Sequence, residues 1–149
     1  MTIQSPTPNV LSLKSVTPML TTLLSDWRIP DDAKRIVINL RHTTYYKSHQ
    51  GPHPVEIQLE RSSTKCDWTW VFITSFGYPD RKSVKVDVEL YFNIKQNWFY
   101  QPDVSRCELD RPEVIELFEA WQYVFRQHLK QGQFDDISLS MIKRFSDPH

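Results

Sequence analysis

Alternating hydrophobic and polar residues run through the middle of the chain. Because successive side chains of a strand point to opposite faces, this period of two predicts strands with one buried and one wet face. The clearest case is residues 84–94, where six apolar side chains occupy every second position. The predicted strands cover residues 35–41, 55–60, 67–76, 84–94, 98–100 and 134–141.

The segment 67–76 differs from its neighbours because it is apolar at both phases of the alternation. Apolar groups on both faces are typical of a central strand that is covered on each side. One face is predicted to carry Trp68, Trp70, Phe72 and Phe76, and the other Thr69, Val71 and Ile73.

Two helices are predicted, one before and one after most of the strands. The first begins near Pro18, and its apolar stripe consists of Met19, Leu20, Leu23, Leu24 and Trp27. The second follows Asp110 as its predicted N-cap and ends before Gly132, which suits the left-handed residue that terminates a helix. Its broad apolar stripe requires a partner, and the sheet is the available one.

The order of these elements predicts an α+β fold. Strands joined by short connections form hairpins, so we expect a single twisted antiparallel sheet of about five to seven strands, flanked by an N-terminal and a C-terminal helix. A chain of 149 residues is most simply one domain. Residues 1–14 are rich in Ser, Thr, Pro and Asn and are predicted to form a flexible arm, with the domain spanning 15–149.

Composition and charge narrow the classes of function. Eighteen basic residues balance eighteen acidic ones, whereas nucleic-acid binders usually carry a basic excess for phosphate contacts. Nucleic acid is therefore disfavoured as a partner. No window approaches the roughly 18 consecutive apolar residues of a membrane helix, so no membrane association is expected. Cys66 and Cys107 form no metal-binding pair, and reduced thiols in the cytoplasm are favoured over a single disulfide.

A polar and aromatic loop between residues 40 and 56 holds the candidate chemistry. Histidine nitrogens and carboxylate oxygens are ligands for zinc and similar ions, which makes His42, His49, His53 and Glu56 candidate metal-site or acid–base residues. Their spacing matches no established ligand motif. Catalytic nucleophile motifs and glycine-rich phosphate loops do not occur in the sequence either, so no catalytic residue, metal or cofactor is predicted.

Other residues of this loop suit recognition. Arg41 and Glu56 stand at the rims of two neighbouring predicted strands and are expected to form an ion pair, with an anion-binding arginine as the alternative. Loops carry recognition and tyrosine is an efficient contact residue, which favours Tyr45, Tyr46 and Tyr78. Base stacking on these tyrosines is a weaker alternative. The predicted binding residues are Arg41, Tyr45, Tyr46, His53, Glu56 and Tyr78.

Six short segments follow one another between residues 35 and 141, namely Leu40-Arg41-His42, Tyr45-Tyr46, Gln50-Gly51, His53-Pro54-Val55-Glu56, Ile73-Thr74-Ser75-Phe76-Gly77-Tyr78 and Gly132-Gln133-Phe134-Asp135-Asp136-Ile137. In this order they resemble the pattern of the bacterial family catalogued as domain of unknown function 2787. The chain carries His42, Ser75 and Asn93 where the family has acidic residues, so a function that needs those carboxylates would be lost here.

The resemblance implies a fold similar to that of the mitochondrial acidic matrix protein family, a highly twisted antiparallel sheet with terminal helices. Those relatives form ring-shaped trimers and act through binding, without known catalysis. They are strongly acidic and this chain is neutral, so their charge-driven partners are not expected. We therefore expect a self-associating, non-catalytic module that binds a protein or peptide. The alternative is a metal-assisted or acid–base enzyme that uses His42, His49, His53 and Glu56.

Overall fold

The computed structural model describes residues 2–4 and 11–146. This part of the chain forms three helices and eight strands. In chain order they are β1 (Ile3–Gln4), α1 (Val16–Leu24), β2 (Ala33–Arg41), α2 (Tyr45–Ser48), β3 (Val55–Glu60), β4 (Trp68–Gly77), β5 (Asp87–Asn93), β6 (Trp98–Gln101), β7 (Val104–Glu108), α3 (Pro112–Lys130) and β8 (Asp136–Arg144).

Seven strands form one antiparallel sheet in the order β7-β6-β5-β4-β3-β2-β8, which confirms the predicted α+β architecture. The two residues of β1 add a short parallel pairing to the start of β4, where β5 does not reach. Helix α3 carries the chain from one edge strand to the other. Its 19 residues span about 28 Å, close to the roughly 29 Å between the outermost of seven strands.

The core lies on one face of the sheet, which we call the core face. Buried side chains from α1 and α3, such as Leu20 and Phe118, join the same cluster as the inward residues of the central strands. We call the opposite side the outer face, and the two main helices α1 and α3 pack on the core face instead. None of the described helices combines the length and apolar run needed to cross a membrane.

Both predicted faces of β4 are wrong beyond Val71, since Ile73 lies in the core with Trp68 and Trp70. Leu59 pairs with Trp70 and Gln58 pairs with Phe72, which leaves Val71 as an extra residue on β4. A bulge of this kind switches the phase of the alternation, because two residues then oppose one. Trp68 and Trp70 therefore lie in the core as expected, whereas Phe72 and Phe76 lie on the outer face.

The long predicted strand at 84–94 is also shorter than expected. Gly77 pairs with Asp87, so β4 ends before residues 84–86 find a partner, and Val84 is 89% exposed. The Asp80 carboxylate accepts the backbone N–H of Lys82 at 2.8 Å and holds a local turn instead of a ladder.

Three other boundaries differ from the prediction. Asp103 has a φ of 65°, and the turn that it completes after Pro102 allows β7 to form where no strand was expected. The N-cap of α3 is Arg111 rather than Asp110, and β8 begins and ends later than residues 134–141. Gly132 has a φ of 68° and ends the helix as predicted.

Three apolar residues of the segment 1–14 pack against the rest of the domain. Ile3 is 5% exposed and belongs to β1, and Leu11 and Leu13 are each 2% exposed within the core cluster. These apolar residues are spaced among polar ones, which hid their contribution in the composition. Residues 1 and 5–10 of the predicted arm lie outside the described residues.

Candidate functional site

The loop that follows β2 is fixed by the chain that leads into β8. The backbone N–H and the hydroxyl of Thr43 both donate to the Asp135 carboxylate, at 2.8 and 2.5 Å. These two hydrogen bonds lower the pKa of Asp135. Nδ1 of His42 lies 2.8 Å from the carbonyl oxygen of Gln133. The loop therefore has a defined conformation, and the acidic pair that starts β8 is part of what holds it.

Five aromatic and histidine rings lie next to one another around helix α2. The ring of Tyr45 is 2% exposed, and its centroid lies 4.6 Å from that of His53 and 5.4 Å from that of Tyr78. His49 ends α2 with a φ of 60°, and its ring stacks on Tyr78 at 3.8 Å. We call Tyr45, Tyr46, His49, His53 and Tyr78 the loop cluster. Tyr45 is the buried base of this cluster, and its burial raises the pKa of the phenol.

His53 pairs with Glu89, a residue of β5. Nδ1 of His53 lies 2.8 Å from Oε2 of Glu89, and the hydroxyl of Ser75 donates to Oε1 at 3.1 Å. Ser75 pairs with Leu90 but Phe76 pairs with Val88, so Glu89 sits in a bulge that turns its carboxylate toward His53. A side chain at Gly77 would collide with that carboxylate, so the missing Cβ leaves room for the pair.

The electrostatic effect of this pair is local and modest. The hydrogen bond to Glu89 is the main cause that raises the pKa of His53. The two side chains are 42% and 37% exposed, so solvent screens their attraction. A histidine with a raised pKa beside a carboxylate can donate or accept a proton near neutral pH.

A cleft of about 310 Å³ lies between the His53–Glu89 pair and the C-terminal half of α3. Burial lowers the pKa of His128, which stands on the helix side of this cleft. The volume is at the lower end of the range for small-molecule pockets. The cleft has a polar end at His53 and Glu89 and otherwise apolar walls, formed by Val55, Trp121, Val124, Phe125 and Phe134.

Arg41 and Glu56 do not form the expected ion pair. Nη1 of Arg41 lies 3.9 Å from Oδ2 of Asp136, and Glu56 is opposite Asn39 in the register of β2 and β3. Strand alternation places Glu56 on the outer face, away from the core-facing Val55 and the cleft beside it. The pairing prediction was wrong because Arg41 lies two positions along β2 from the residue opposite Glu56 and is next to Asp136 of β8 instead.

The four residues of the sequence-based metal or acid–base site do not come together. His42 is engaged with Gln133, His49 with Tyr78 and His53 with Glu89, while Glu56 lies on the outer face. Across residues 2–4 and 11–146, no group of three or more His, Cys, Asp or Glu side chains is arranged to hold a metal ion.

The three positions where the resembling family has acidic residues have structural roles in this chain. Ser75 is 1% exposed and donates to Glu89, and Asn93 is 6% exposed and accepts the N–H of Gln96 at 2.8 Å. His42 fills the space beside Gly51. Each polar group is therefore used within the fold.

Sequence reasoning missed Glu89 and the helix residues that line the cleft. In the predicted strand Glu89 was one of several polar residues on the wet face, with nothing to distinguish it. Only the bulge turns it toward His53, and a bulge at a polar residue leaves no mark in the alternation. Trp121 and Phe125 belonged to the apolar stripe of the second helix, which gave no sign of a cleft.

The pKa of His53 offers a direct test of the pair. We expect Glu89→Gln to lower it, because the variant loses the negative charge that strengthens the hydrogen bond and favours the protonated ring. An NMR titration of the ring proton of His53 in the wild type and the variant measures this shift. An unchanged His53 pKa in the variant would contradict the pairing.

The same shift predicts a pH dependence of stability. The folded-state pKa of His53 is raised above its ordinary value of about 6.5. The contribution of the pair to the free energy of unfolding is therefore fully present below that ordinary value. It is lost as the pH rises through the folded-state pKa. The Glu89→Gln variant should lack this part of the pH dependence.

Comparison with known proteins gives relatives of the same fold. The hypothetical protein VC1805 from pathogenicity island VPI-2 of Vibrio cholerae is 26% identical, has a TM-score of 0.76, and the match covers 93% of this chain and 99% of that one. It is described as sharing structural homology with the human P32 protein. The hypothetical protein VC0508 from the Vibrio cholerae VSP-II island is 21% identical, with a TM-score of 0.73 and coverage of 85% and 92%.

The sequence itself places the chain in a family. No curated protein matches it. The profile of one family, described as protein of unknown function (DUF2787), matches residues 14–140, which include both main helices and nearly all of the antiparallel sheet. The chain therefore belongs to the DUF2787 family.

Proposed function

We propose that this protein is a non-catalytic module that binds a protein or peptide through the outer face of its sheet and acts as an oligomer. One observation carries the proposal, a row of aromatic rings on the sheet face opposite α1 and α3. Phe72 packs on Tyr91 at 5.0 Å between ring centroids, and Tyr91 stacks on Trp98 at 4.8 Å. The guanidinium of Arg106 lies 3.8 Å above the ring of Trp98.

The composition of this face suits a protein partner. Aromatic residues and arginine are enriched at the energetic centres of protein interfaces. Beside the aromatic row, Glu60 forms two ion pairs. Its Oε2 lies 2.7 Å from Nη2 of Arg35, and its other carboxylate oxygen pairs with Lys95. Hydrogen bonds from Lys95 and Arg35 lower the pKa of Glu60 against the effect of its burial. A charged network next to an apolar row is the arrangement of an interface core with a polar rim.

The loop cluster is a second contact region in the proposal. Tyr46 is 37% exposed, and the Tyr78 hydroxyl donates to the Tyr46 carbonyl oxygen at 3.4 Å. Of the predicted binding residues, Arg41, Tyr46, His53 and Tyr78 are available there, and Glu56 belongs to the outer face. Tyr45 is buried and supports the cluster without reaching a partner.

The oligomeric and cytoplasmic parts of the proposal have separate support. The fold resembles that of a protein described as sharing structural homology with human P32. Because the mitochondrial acidic matrix proteins of that fold self-associate, the resemblance supports an oligomer. Cys66 and Cys107 are unbridged thiols, which suits a reducing compartment.

Substitutions on the outer face test the binding proposal. A peptide library displayed on phage, selected against the wild-type protein, supplies ligands with measurable dissociation constants. Trp98→Ala and Arg106→Ala should each weaken a selected peptide at least tenfold, because they remove the end of the aromatic row. Tyr123→Ala, on the exposed side of α3, should leave the affinity unchanged. Peptides that bind all variants equally would contradict the outer face as the binding site.

A second candidate function is acid–base catalysis in the cleft. The observation that favours it is the His53–Glu89 pair at the polar end of an apolar cavity. It differs from the sequence-based enzyme hypothesis, since Glu89 takes the place of His42, His49 and Glu56. An activity found in a substrate screen and abolished by His53→Gln, with unchanged folding, would favour the enzyme over the binding module.

A further inference from the structure

The two edges of the sheet differ in how well they are protected from other strands. β7 has five residues, is preceded by Pro102, and carries Arg106 and Glu108. Short length, proline and charge are the usual protections of an edge strand. β8 has nine residues and, among the residues that the structure describes, pairs with β2 on one side alone.

The middle of β8 lacks these protections. Residues 137–142 read Ile-Ser-Leu-Ser-Met-Ile, with no charge, proline or glycine, and Ile142 is 47% exposed. An uncharged six-residue segment of this kind on an open edge has the signature of a strand that pairs with another chain. The backbone N–H and C=O groups along the open edge of β8 therefore favour pairing with an additional strand.

Charge selects a second copy of the chain as that strand. Asp136 stands at the start of β8, and Lys143 and Arg144 stand at its end. Antiparallel pairing of β8 with itself brings the acid of each copy near the two cations of the other. Parallel pairing would align like charges instead, which is unfavourable for opposed residues.

The side chains agree with a two-fold axis at Leu139. In that register Ile137 lies opposite Met141 of the second copy, and Ser138 lies opposite Ser140. Directly opposed residues share a face, so apolar side chains meet apolar ones on the core face and serines meet on the outer face. Ile137, Leu139 and Met141 pack against the core within one copy, which fixes this alternation.

We propose that β8 joins two copies of the protein into one continuous sheet through antiparallel self-pairing about Leu139. The inference deepens the proposed function and rests on its oligomeric part. A two-fold axis perpendicular to the sheet keeps both outer faces on the same side. The dimer would then present two aromatic rows to one partner, and the second contact would form at a high effective concentration.

Charge reversal across the axis tests the proposal. Ser138→Lys with Ser140→Lys places lysines opposite lysines, and Ser138→Glu with Ser140→Glu places glutamates opposite glutamates. Native mass spectrometry of the wild type should show a dimer, and each double variant alone should be a monomer. A mixture of the two variants should recover a heterodimer, because every lysine then faces a glutamate. Val104→Lys with Ser105→Lys, on the protected edge β7, should remain dimeric.

The outcomes separate this inference from the proposed function. If the wild type is a monomer at about 100 µM, the dimer has a dissociation constant above that concentration and a binding free energy weaker than about −5.5 kcal/mol. This result would overturn both the self-pairing and the oligomeric part of the proposed function. A wild-type trimer, or a dimer that the β8 lysines do not dissociate, would overturn the self-pairing alone. Melting temperatures close to that of the wild type confirm that the variants are folded.

Discussion

Tyr45→Ala should lower the free energy of unfolding by about 3–5 kcal/mol, the usual effect of removing a buried aromatic ring. Tyr45 is 2% exposed, and its ring supports His53 at 4.6 Å and Tyr78 at 5.4 Å between centroids. Its hydroxyl accepts the backbone N–H of Tyr78 at 3.4 Å. Urea denaturation measures the loss, and the tyrosine and histidine resonances of the loop cluster should shift with it.

The chain offers a matched control for this variant in the next residue. Tyr46→Ala removes the same side chain from a position that is 37% exposed, so we expect a loss of at most about 1 kcal/mol. Tyr45→Phe removes only the hydroxyl and should also lower the stability by about 1 kcal/mol. Equal losses in Tyr45→Ala and Tyr46→Ala would contradict the buried position of Tyr45.

The sequence predicted the architecture well because the relevant signal is local. Alternation at 35–41 and 55–60 reflects the two faces of β2 and β3, and the order of short connections implied an antiparallel sheet. The sequence does not reveal the short strand β7, because a proline such as Pro102 usually marks the end of a strand. That proline lies in a turn instead, where its fixed φ is favourable.

The candidate site was predicted in part. The loop between residues 40 and 56 holds Tyr45, His49 and His53, whose rings lie next to one another and to Tyr78. Its partner Glu89 comes from a strand 36 positions away and reaches His53 through a bulge. Long-range pairing and bulges depend on how strands meet, so alternation within one strand does not reveal them.

Two bulges connect the fold to both candidate functions. The extra residue Val71 turns Phe72 to the outer face, where it joins Tyr91 and Trp98. The bulge at Glu89 turns a carboxylate to the core face, where it meets His53. Without the first, the aromatic row would lose one end to the core. The surfaces proposed for binding and for acid–base chemistry thus arise where the regular ladder is interrupted.

Gly51→Ala should lower the free energy of unfolding by about 3 kcal/mol, from two effects that act together. Gly51 has a φ of +93°, a conformation that is strained for any residue with a Cβ. That Cβ would also lie 2.8 Å from Cδ2 of His42, whose ring is held by the carbonyl oxygen of Gln133. The ring cannot retreat without losing this contact, so the strain should spread to the loop cluster.

Gly132→Ala separates the two effects. Gly132 has a φ of +68° with nothing within 4 Å of an added Cβ, so its variant should lose only about 1 kcal/mol of backbone strain. Adding His42→Ala to Gly51→Ala removes the ring that the new methyl group meets. The double variant should then be more stable than the sum of the single losses predicts. Additive losses would show that His42 moves aside and that the strain of Gly51→Ala lies in the backbone alone.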